Sequence, residues 1–120
     1  MVRVAVDAMG GDNAPGEIVK GCLEALRKSP EVKILLCGKP EVLEQELAGQ
    51  SYPAERLETV LASEVIETGD SPVVSVRKKK DSSLVVGMKL IREERADAFV
   101  SAGNSGANLV GGQVLVGRLP

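Results

Sequence analysis

The sequence predicts an α/β fold of the three-layer type, in which a mostly parallel sheet lies between helices on both of its faces. Short apolar runs alternate along the chain with longer segments whose apolar residues recur at helical spacing. Of the 120 residues, 43% are apolar, yet there is one Phe, one Tyr and no Trp. Such a core is built from Val, Leu, Ile and Ala, as is common for buried parallel strands and their covering helices. A chain of this length corresponds to one domain.

The strands are predicted from short runs rich in Val, Ile and Leu that end at Gly, Pro or polar residues. They cover residues 2–6, 32–37, 57–61 and 98–100. Apolar residues at helical spacing predict the helices that connect them. These helices cover residues 15–28, 40–48, 72–79 and 83–95, and a last one follows the loop that ends at residue 107. Because strands alternate with helices, we expect right-handed crossovers and parallel strands.

The first strand runs into a segment with two adjacent glycines, residues 7–15, which we call the glycine turn. Gly10 and Gly11 can take a positive φ and let a ligand approach the backbone closely. Asp12 or Asn13 can cap the free amides of the helix that follows. A strand, a glycine turn and a helix N-terminus together form a place for an anion. The alternative is a tight turn that binds no ligand, and the spacing matches neither standard nucleotide-binding fingerprint.

The fourth strand runs into residues 101–106, which we call the serine loop. It combines two hydroxyl groups with the amide of Asn104 and the glycines Gly103 and Gly106 at a predicted helix start. These groups can present several N–H and O–H donors to a phosphate or to a developing oxyanion, with Ser105 as one of them. The alternative is ordinary helix capping, for which one serine or Asn104 would suffice.

Residues 77–83, which we call the basic segment, join four consecutive cations to a hydroxyl-capped helix start. An Arg can clamp a phosphate with two hydrogen bonds, while a Lys adds a point charge. The alternative is a solvated helix end, where cations are also favoured by the helix dipole. The candidates for contact with a phosphate are Arg77, Lys79, Lys80, Ser82 and Ser83.

In a parallel sheet, ligands bind beyond the carboxyl ends of the strands, where the connecting loops gather. Both the glycine turn and the serine loop directly follow a predicted strand. We therefore expect these two loops to meet at the same edge of the sheet.

The composition excludes several classes of function. The chain contains no His, so it holds no Ser-His-Asp triad, no Cys-His pair and no His-based zinc site. A net charge of −2 argues against a general nucleic-acid binder. Cys22 and Cys37 lack metal or redox spacing and are predicted to be buried apolar side chains. There is no apolar run of membrane-spanning length and no signal-peptide pattern, which favours a cytoplasmic location.

Three motifs carry a resemblance to a known family. Residues 5–12, AVDAMGGD, followed by Ala14-Pro15 resemble the N-terminus of the bacterial phosphate acyltransferases of phospholipid synthesis. Residues 71–84, with Ser71-Pro72 before the basic segment, resemble the second signature of that family, and the serine loop resembles the third. The three motifs occur in the family's order and extend over nearly the whole chain.

This resemblance implies transfer of a fatty acyl group from acyl-acyl carrier protein to inorganic phosphate, which gives acyl phosphate. It also implies a fold like that of isopropylmalate dehydrogenase and phosphate acetyltransferase, no cofactor or metal, and a homodimer that can contact the membrane peripherally. Members are much longer, so we expect residues 1–120 to be the N-terminal part of a single catalytic domain. The expected catalytic residues are Asn104, Ser105 and Lys80. The expected substrate-binding or phosphate-binding residues are Asp7, Gly10, Gly11, Asp12, Arg77, Lys79, Ser82, Ser83, Gly103 and Gly106.

Two other functions fit the same residues. One is a phosphate acetyltransferase-like enzyme that uses acyl-coenzyme A, although the glycine turn fits that family poorly. The other is a non-catalytic module that binds a phosphate or a nucleotide. Consumption of thioester distinguishes the enzymes from the module, and the preferred acyl donor distinguishes the two enzymes.

Overall fold

The computed structural model describes residues 1–67, 70–103 and 107 of the chain. All four predicted strands are present in it, and they alternate with helices as the apolar patterns indicated. The elements are β1 (Val2–Asp7), α1 (Gly16–Lys28), β2 (Val32–Gly38), α2 (Pro40–Leu47), a 3₁₀ turn (Ala54–Arg56), β3 (Leu57–Leu61), α3 (Pro72–Lys78), α4 (Ser83–Arg92) and β4 (Ala98–Val100). The predicted last helix, which follows residue 107, lies outside the described residues.

The four strands form one parallel sheet with the order β3-β2-β1-β4. The three-layer α/β prediction is therefore confirmed. Strand β1 lies in the interior, with Val4 opposite Ile34 of β2 and opposite Ala98 of β4. Strand order was not predicted, and it decides which loops become neighbours at the carboxyl edge.

The two faces of the sheet carry separate apolar clusters, because successive side chains of a strand point to opposite faces. On one face, Val6 of β1 packs with buried residues of α1 and α2 such as Leu26 and Leu43. On the other face, Ala5 packs with Leu90 of α4. Asp7 follows Ala5 by two residues, so its side chain points to the face covered by α4. The fold thus directs one carboxylate toward the start of that helix.

A third cluster holds α3 against the start of α4. Val76 of α3 packs with Ile66, Leu84 and Met88. The segment after β3 is joined to the start of α4 by a bridge between Glu64 and Ser82. The basic segment therefore lies at the corner between α3 and α4.

Helix α4 ends at Arg92, three residues before the predicted end. The cause is Glu94, which has a φ of 61° and so leaves the helical conformation. The N–H of Glu94 donates to the carbonyl of Ile91, and the N–H of Arg95 donates to the carbonyl of Leu90. This is the Schellman arrangement, in which glycine usually occupies the left-handed position. No glycine marks this helix end in the sequence.

Cys22 and Cys37 are buried as predicted, and neither forms a disulfide. Burial raises the pKa of the Cys22 thiol to about 11. Burial, reinforced by the negative charge of Asp7, raises the pKa of the Cys37 thiol to about 12. Both thiols therefore remain protonated at neutral pH and act as core side chains.

Candidate functional site

The candidate site is organised around Asp7, the last residue of β1, whose side chain is buried with 3% exposure. Its Oδ1 atom accepts a hydrogen bond from the Ser83 hydroxyl at 2.5 Å and another from the Met9 N–H at 3.0 Å. Its Oδ2 atom accepts a hydrogen bond from the Ser101 hydroxyl at 2.9 Å. One carboxylate thus connects the glycine turn, the basic segment and the serine loop.

The two adjacent serines at the start of α4 have different roles. The Ser82 hydroxyl accepts a hydrogen bond from the Val85 N–H at 3.2 Å, which is the helix N-cap interaction predicted for this position. Ser83 is the first helical residue, and its hydroxyl donates to Asp7 instead. Both serine side chains are almost fully buried. The helix is therefore capped by one serine and fixed to the sheet edge by the next.

The serine loop lies directly against the glycine turn. A Cβ atom on Gly10 would lie 2.6 Å from Asp7 Oδ2 and 3.0 Å from Ser101 Oγ. Gly11 has a φ of +95°, and a Cβ atom there would lie 2.9 Å from the Ala102 carbonyl oxygen. The predicted meeting of the two loops is confirmed. Within the described residues, the lack of a side chain at Gly10 and Gly11 allows the two loops to pack closely.

The hydroxyl of Ser101 also accepts a hydrogen bond from the Gly103 N–H at 3.1 Å. Through these two hydrogen bonds, Ser101 links the Asp7 carboxylate to the backbone of the serine loop. The following residues, Asn104, Ser105 and Gly106, lie outside the described residues. Their predicted roles stay predictions.

The predicted capping of α1 by Asp12 or Asn13 is wrong. The N-cap residue is Pro15, and no side chain forms a cap hydrogen bond there. The backbone carbonyl of Asn13 accepts from the Glu17 N–H at 3.1 Å, so a backbone group takes the place of the expected side chain. Asp12 is exposed, with its side chain outside the Asp7 hydrogen-bond network.

The cations of the basic segment fall into two groups. Lys79 Nζ donates to Asp70 Oδ2 at 2.8 Å and to the Val65 carbonyl at 2.9 Å. The hydrogen bond between them raises the pKa of Lys79 and lowers the pKa of Asp70. Arg77 and Lys80 are exposed, and neither forms an ion pair within residues 1–67, 70–103 and 107. The structure thus gives Lys79 a structural partner and leaves Arg77 and Lys80 facing solvent.

The structure therefore brings together one part of the predicted set of site residues. The members in or beside the Asp7 network are Asp7, Gly10, Gly11, Ser82, Ser83 and Gly103. In the described part of the chain, the side chains of Asp12, Arg77, Lys79 and Lys80 form no hydrogen bond or ion pair with that network, although the carbonyl of Lys79 accepts a hydrogen bond from the Ser82 N–H at 3.1 Å.

Sequence reasoning did not single out Ser101. Its signal was its position directly after an apolar strand, the position that Asp7 also occupies. Val6 lies opposite Val100 in the sheet, which places the next residues, Asp7 and Ser101, side by side. Because the neighbouring strands were unknown from the sequence, this pair could not be recognised.

The chemistry of the Asp7 network is that of a positioning group. A buried carboxylate repels a bound phosphate, and both serine hydroxyls within reach already donate to it. Asp7 can instead hold the two loops in one arrangement, so that other groups serve as donors to an anion. Among the described residues, no group of three His, Cys, Asp or Glu side chains could hold a metal ion. The helices described there are all too short or too polar to cross a membrane.

Comparison with known proteins identifies the family. The model of the family described as "Fatty acid synthesis protein" matches residues 2–120. The chain is 49% identical over 118 residues to the phosphate acyltransferase of Alkaliphilus oremlandii, covering 98% of this chain and 35% of that protein. It is 52% identical over 118 residues to the phosphate acyltransferase of Thermoanaerobacter pseudethanolicus, covering 98% of this chain and 34% of that protein.

Both matches extend over 118 residues, which is nearly the whole chain. The chain spans about a third of the length of the curated relatives it matches. On the strength of the family match over residues 2–120, the chain belongs to the fatty acid synthesis protein family.

Proposed function

We propose that the chain contributes the N-terminal part of a catalytic domain that transfers a fatty acyl group from acyl-acyl carrier protein to inorganic phosphate, giving acyl phosphate. The relatives named phosphate acyltransferase, at 49% and 52% identity, support acyl transfer to phosphate. The structural observation that carries the proposal is the Asp7 network. It fixes the serine loop beside the glycine turn at the carboxyl edge of the sheet.

The chemistry of this reaction suits a chain without His. Phosphate is partly dianionic at neutral pH, so the nucleophile needs positioning more than it needs a strong base. The thioester carbonyl gains negative charge during the attack and needs oriented N–H or O–H donors. Phosphate oxygen forms a bond to the acyl carbon, and the thiolate of the carrier leaves and takes up a proton. No electron is transferred to or from a cofactor.

In this proposal the Asp7 network holds the loops in position, and other residues contact the substrates. We propose Asn104 and Ser105 as donors to the developing oxyanion or to phosphate, and Arg77 and Lys80 as the cations that hold phosphate. Lys79 is the weaker candidate, because its Nζ already contacts Asp70 and the Val65 carbonyl. Asp7 positions the loops.

The experiment measures phosphate-dependent loss of thioester from acyl-acyl carrier protein, with the acyl phosphate trapped by hydroxylamine. It uses the 120-residue chain and a chimaera in which this chain replaces the matching third of the Thermoanaerobacter pseudethanolicus protein. We expect the chimaera to form acyl hydroxamate only when phosphate is present. Asn104→Ala should lower this rate, whereas Asn13→Ala, a matched change in an exposed residue of the glycine turn, should not.

The outcomes separate the three candidate functions. Turnover with acyl-coenzyme A but not with acyl-acyl carrier protein would favour the acetyltransferase-like enzyme. Saturable phosphate binding without thioester consumption, in a chimaera whose unaltered parent is active, would favour a binding module. Activity of the 120-residue chain alone would show that it holds the complete reacting centre.

A further inference from the structure

Helix α3 presents an apolar pair of side chains to solvent beside exposed cations. Val73 and Val74 are each 47% exposed, although the opposite side of the same helix is buried through Val76. Arg77 and Lys78 follow at the spacings of three and four residues that place side chains next to one another on a helix. We call these four residues, Val73, Val74, Arg77 and Lys78, the α3 surface.

Among the described residues, the cations of this surface have no acidic partner within the chain. Within the part of the chain that the structure describes, neither Arg77 nor Lys78 takes part in an ion pair, and the same holds for Lys80 at the end of the helix. The chain as a whole has a net charge of −2, so this positive charge is local. A local field of one sign attracts a partner of the opposite sign and raises its rate of association.

The α3 surface has a fixed orientation and a fixed position relative to the site. Val76 and Ser75 anchor the inner side of the helix, with exposures of 3% and 6%. Lys79 at its end holds Asp70 and the Val65 carbonyl, which ties the helix to the segment before it. Four residues later, Ser83 contacts Asp7. The surface is thus built on a rigid corner that adjoins the carboxyl edge of the sheet.

We propose that the α3 surface is a docking site for an acidic protein surface that carries exposed apolar side chains. The valines would supply the desolvated centre of the contact, and Lys78 would pair with a carboxylate beside it, while Arg77 adds to the local positive field. The inference rests on the proposed function in one respect: the occupant is the acyl carrier protein, whose thioester supplies the acyl group. A small contact of this kind suits a partner that binds and leaves in every catalytic cycle.

The dimensions of α3 favour a protein over a lipid bilayer as the occupant. A helix that lies in a membrane interface needs a long apolar face, usually with Trp, Phe or Leu. Helix α3 has 7 residues, and its exposed apolar side chains are two valines without an aromatic residue. Two valines beside two cations match a small patch on a partner protein better than they match a membrane surface.

The test compares steady-state kinetics of the chimaera and its variants with acyl-acyl carrier protein as the substrate. The variants are Lys78→Glu and Val74→Ser, neither of which alters a residue proposed to bind phosphate. The matched controls are Lys20→Glu, an exposed lysine on α1, and Val2→Ser, a valine that is 50% exposed on β1. Circular dichroism and urea unfolding verify that each variant folds.

We expect Lys78→Glu to raise KM for acyl-acyl carrier protein about five- to tenfold, and Val74→Ser to raise it about threefold. Both kcat and the KM for phosphate should stay unchanged. The two control variants should have the same kinetic constants as the parent. Added salt should lower kcat/KM of the parent more steeply than that of Lys78→Glu, because one charge of the contact is missing. Equal KM values for folded variants and controls would overturn the proposal.

A binding measurement separates this proposal from the proposed function. Fluorescence anisotropy of labelled acyl-acyl carrier protein reports docking even if the chimaera has no turnover with it. Binding that is weakened by Lys78→Glu and Val74→Ser supports the docking site whether or not the reaction occurs. Absence of binding to a folded chimaera overturns it. Binding to vesicles of anionic phospholipid that depends on these two residues, without binding of the carrier protein, overturns it in favour of a lipid surface.

Discussion

The hydroxyl of Ser101 donates to Asp7 Oδ2 at 2.9 Å, and this hydrogen bond joins residues that are 94 positions apart in the chain. The two residues are side by side because β4 pairs in parallel with β1, with Val6 opposite Val100. The same carboxylate also accepts from Ser83 at the start of α4. The sheet edge is therefore held together by one buried acidic side chain and two serines.

Replacement of Asp7 by Asn should destabilise the fold. The amide has one acceptor oxygen in place of two, so the proton of one of the two serine hydroxyls loses its acceptor and that hydroxyl faces an NH2 group instead. Leaving a buried polar group without a hydrogen bond costs about 1–3 kcal/mol. We expect the free energy of unfolding, measured by urea denaturation, to fall by that amount.

The matched control is Asp12→Asn in the same turn. Asp12 is exposed, and substitutions at such positions usually change stability by less than about 0.5 kcal/mol. Equal losses for both variants would show that charge in the glycine turn matters, and that the Asp7 hydrogen bonds do not.

The N-cap of α4 should contribute more stability than the N-cap of α3. Ser82 accepts a hydrogen bond from the Val85 N–H, whereas Ser71 forms no side-chain cap hydrogen bond. Ser82→Ala should therefore lower the free energy of unfolding by about 1 kcal/mol, and Ser71→Ala by a few tenths at most. Urea unfolding of the two variants under identical conditions measures the difference. A larger loss for Ser71→Ala would contradict the assignment of the caps.

The sequence predicted the strands well, because their apolar runs are short and clearly bounded. β4 was predicted with its observed bounds, and β1 and β2 each extend one residue further. The end of α4 was predicted too late, since Glu94 adopts the left-handed conformation without the glycine that usually marks it. This helix end depends on local backbone hydrogen bonds that the residue types at these positions do not predict.

The candidate site was predictable only in part. Gly10, Gly11 and Ser83 could be found because each follows a strand or opens a helix. The pairing of Asp7 with Ser101 could not be found, since it depends on β4 lying beside β1. The engagement of Lys79 by Asp70 could not be found either, because the sequence did not indicate that the residues before α3 fold back onto the end of that helix.

The two cysteines should resist thiol reagents in the native state. Their pKa values are raised from 9.0 to about 11 for Cys22 and about 12 for Cys37, chiefly by burial. The reactive thiolate is therefore scarce at pH 8, and access is limited as well. We expect reaction with a disulfide reagent at pH 8 to be at least about a hundredfold slower in the native state than in denaturant. Cys22→Ser and Cys37→Ser assign the rates to single thiols, and fast modification of native Cys37 would contradict its burial.

The same pKa shifts predict a loss of stability in alkaline solution. Below about pH 8 both thiols are almost fully protonated in the folded and unfolded states, so the free energy of unfolding hardly depends on them. Above pH 9 the unfolded thiols lose protons that the folded ones retain, which stabilises the unfolded state as pH rises toward about 11 and 12. Urea unfolding between pH 8 and pH 11 should show a smaller decline for Cys37→Ser than for the parent. Identical declines would contradict this origin.

Two glycines inside helices should respond in opposite ways to replacement by alanine. Gly21 of α1 has open space around the position of a Cβ atom. Gly21→Ala should therefore raise the free energy of unfolding by about 0.5–1 kcal/mol, because alanine favours the helical backbone. On Gly87 of α4, a Cβ atom would overlap the ring of Phe99 and lie 2.7 Å from its Cδ1 atom. Gly87→Ala should lower the free energy of unfolding by about 1–2 kcal/mol, since the ring of Phe99 must move out of its packed position.

A double variant identifies the cause of the Gly87 effect. Phe99→Leu shortens the side chain that the new methyl group would meet, so Gly87→Ala should cost less in the Phe99→Leu background than in the parent. The difference between the two costs, measured by urea unfolding as a double-mutant cycle, is the coupling between the two positions. Additive effects would mean that Gly87 is required for the backbone of α4 itself. A positive coupling would show that α4 and β4 approach each other closely only because Gly87 has no side chain, which sets the distance between that helix layer and the sheet.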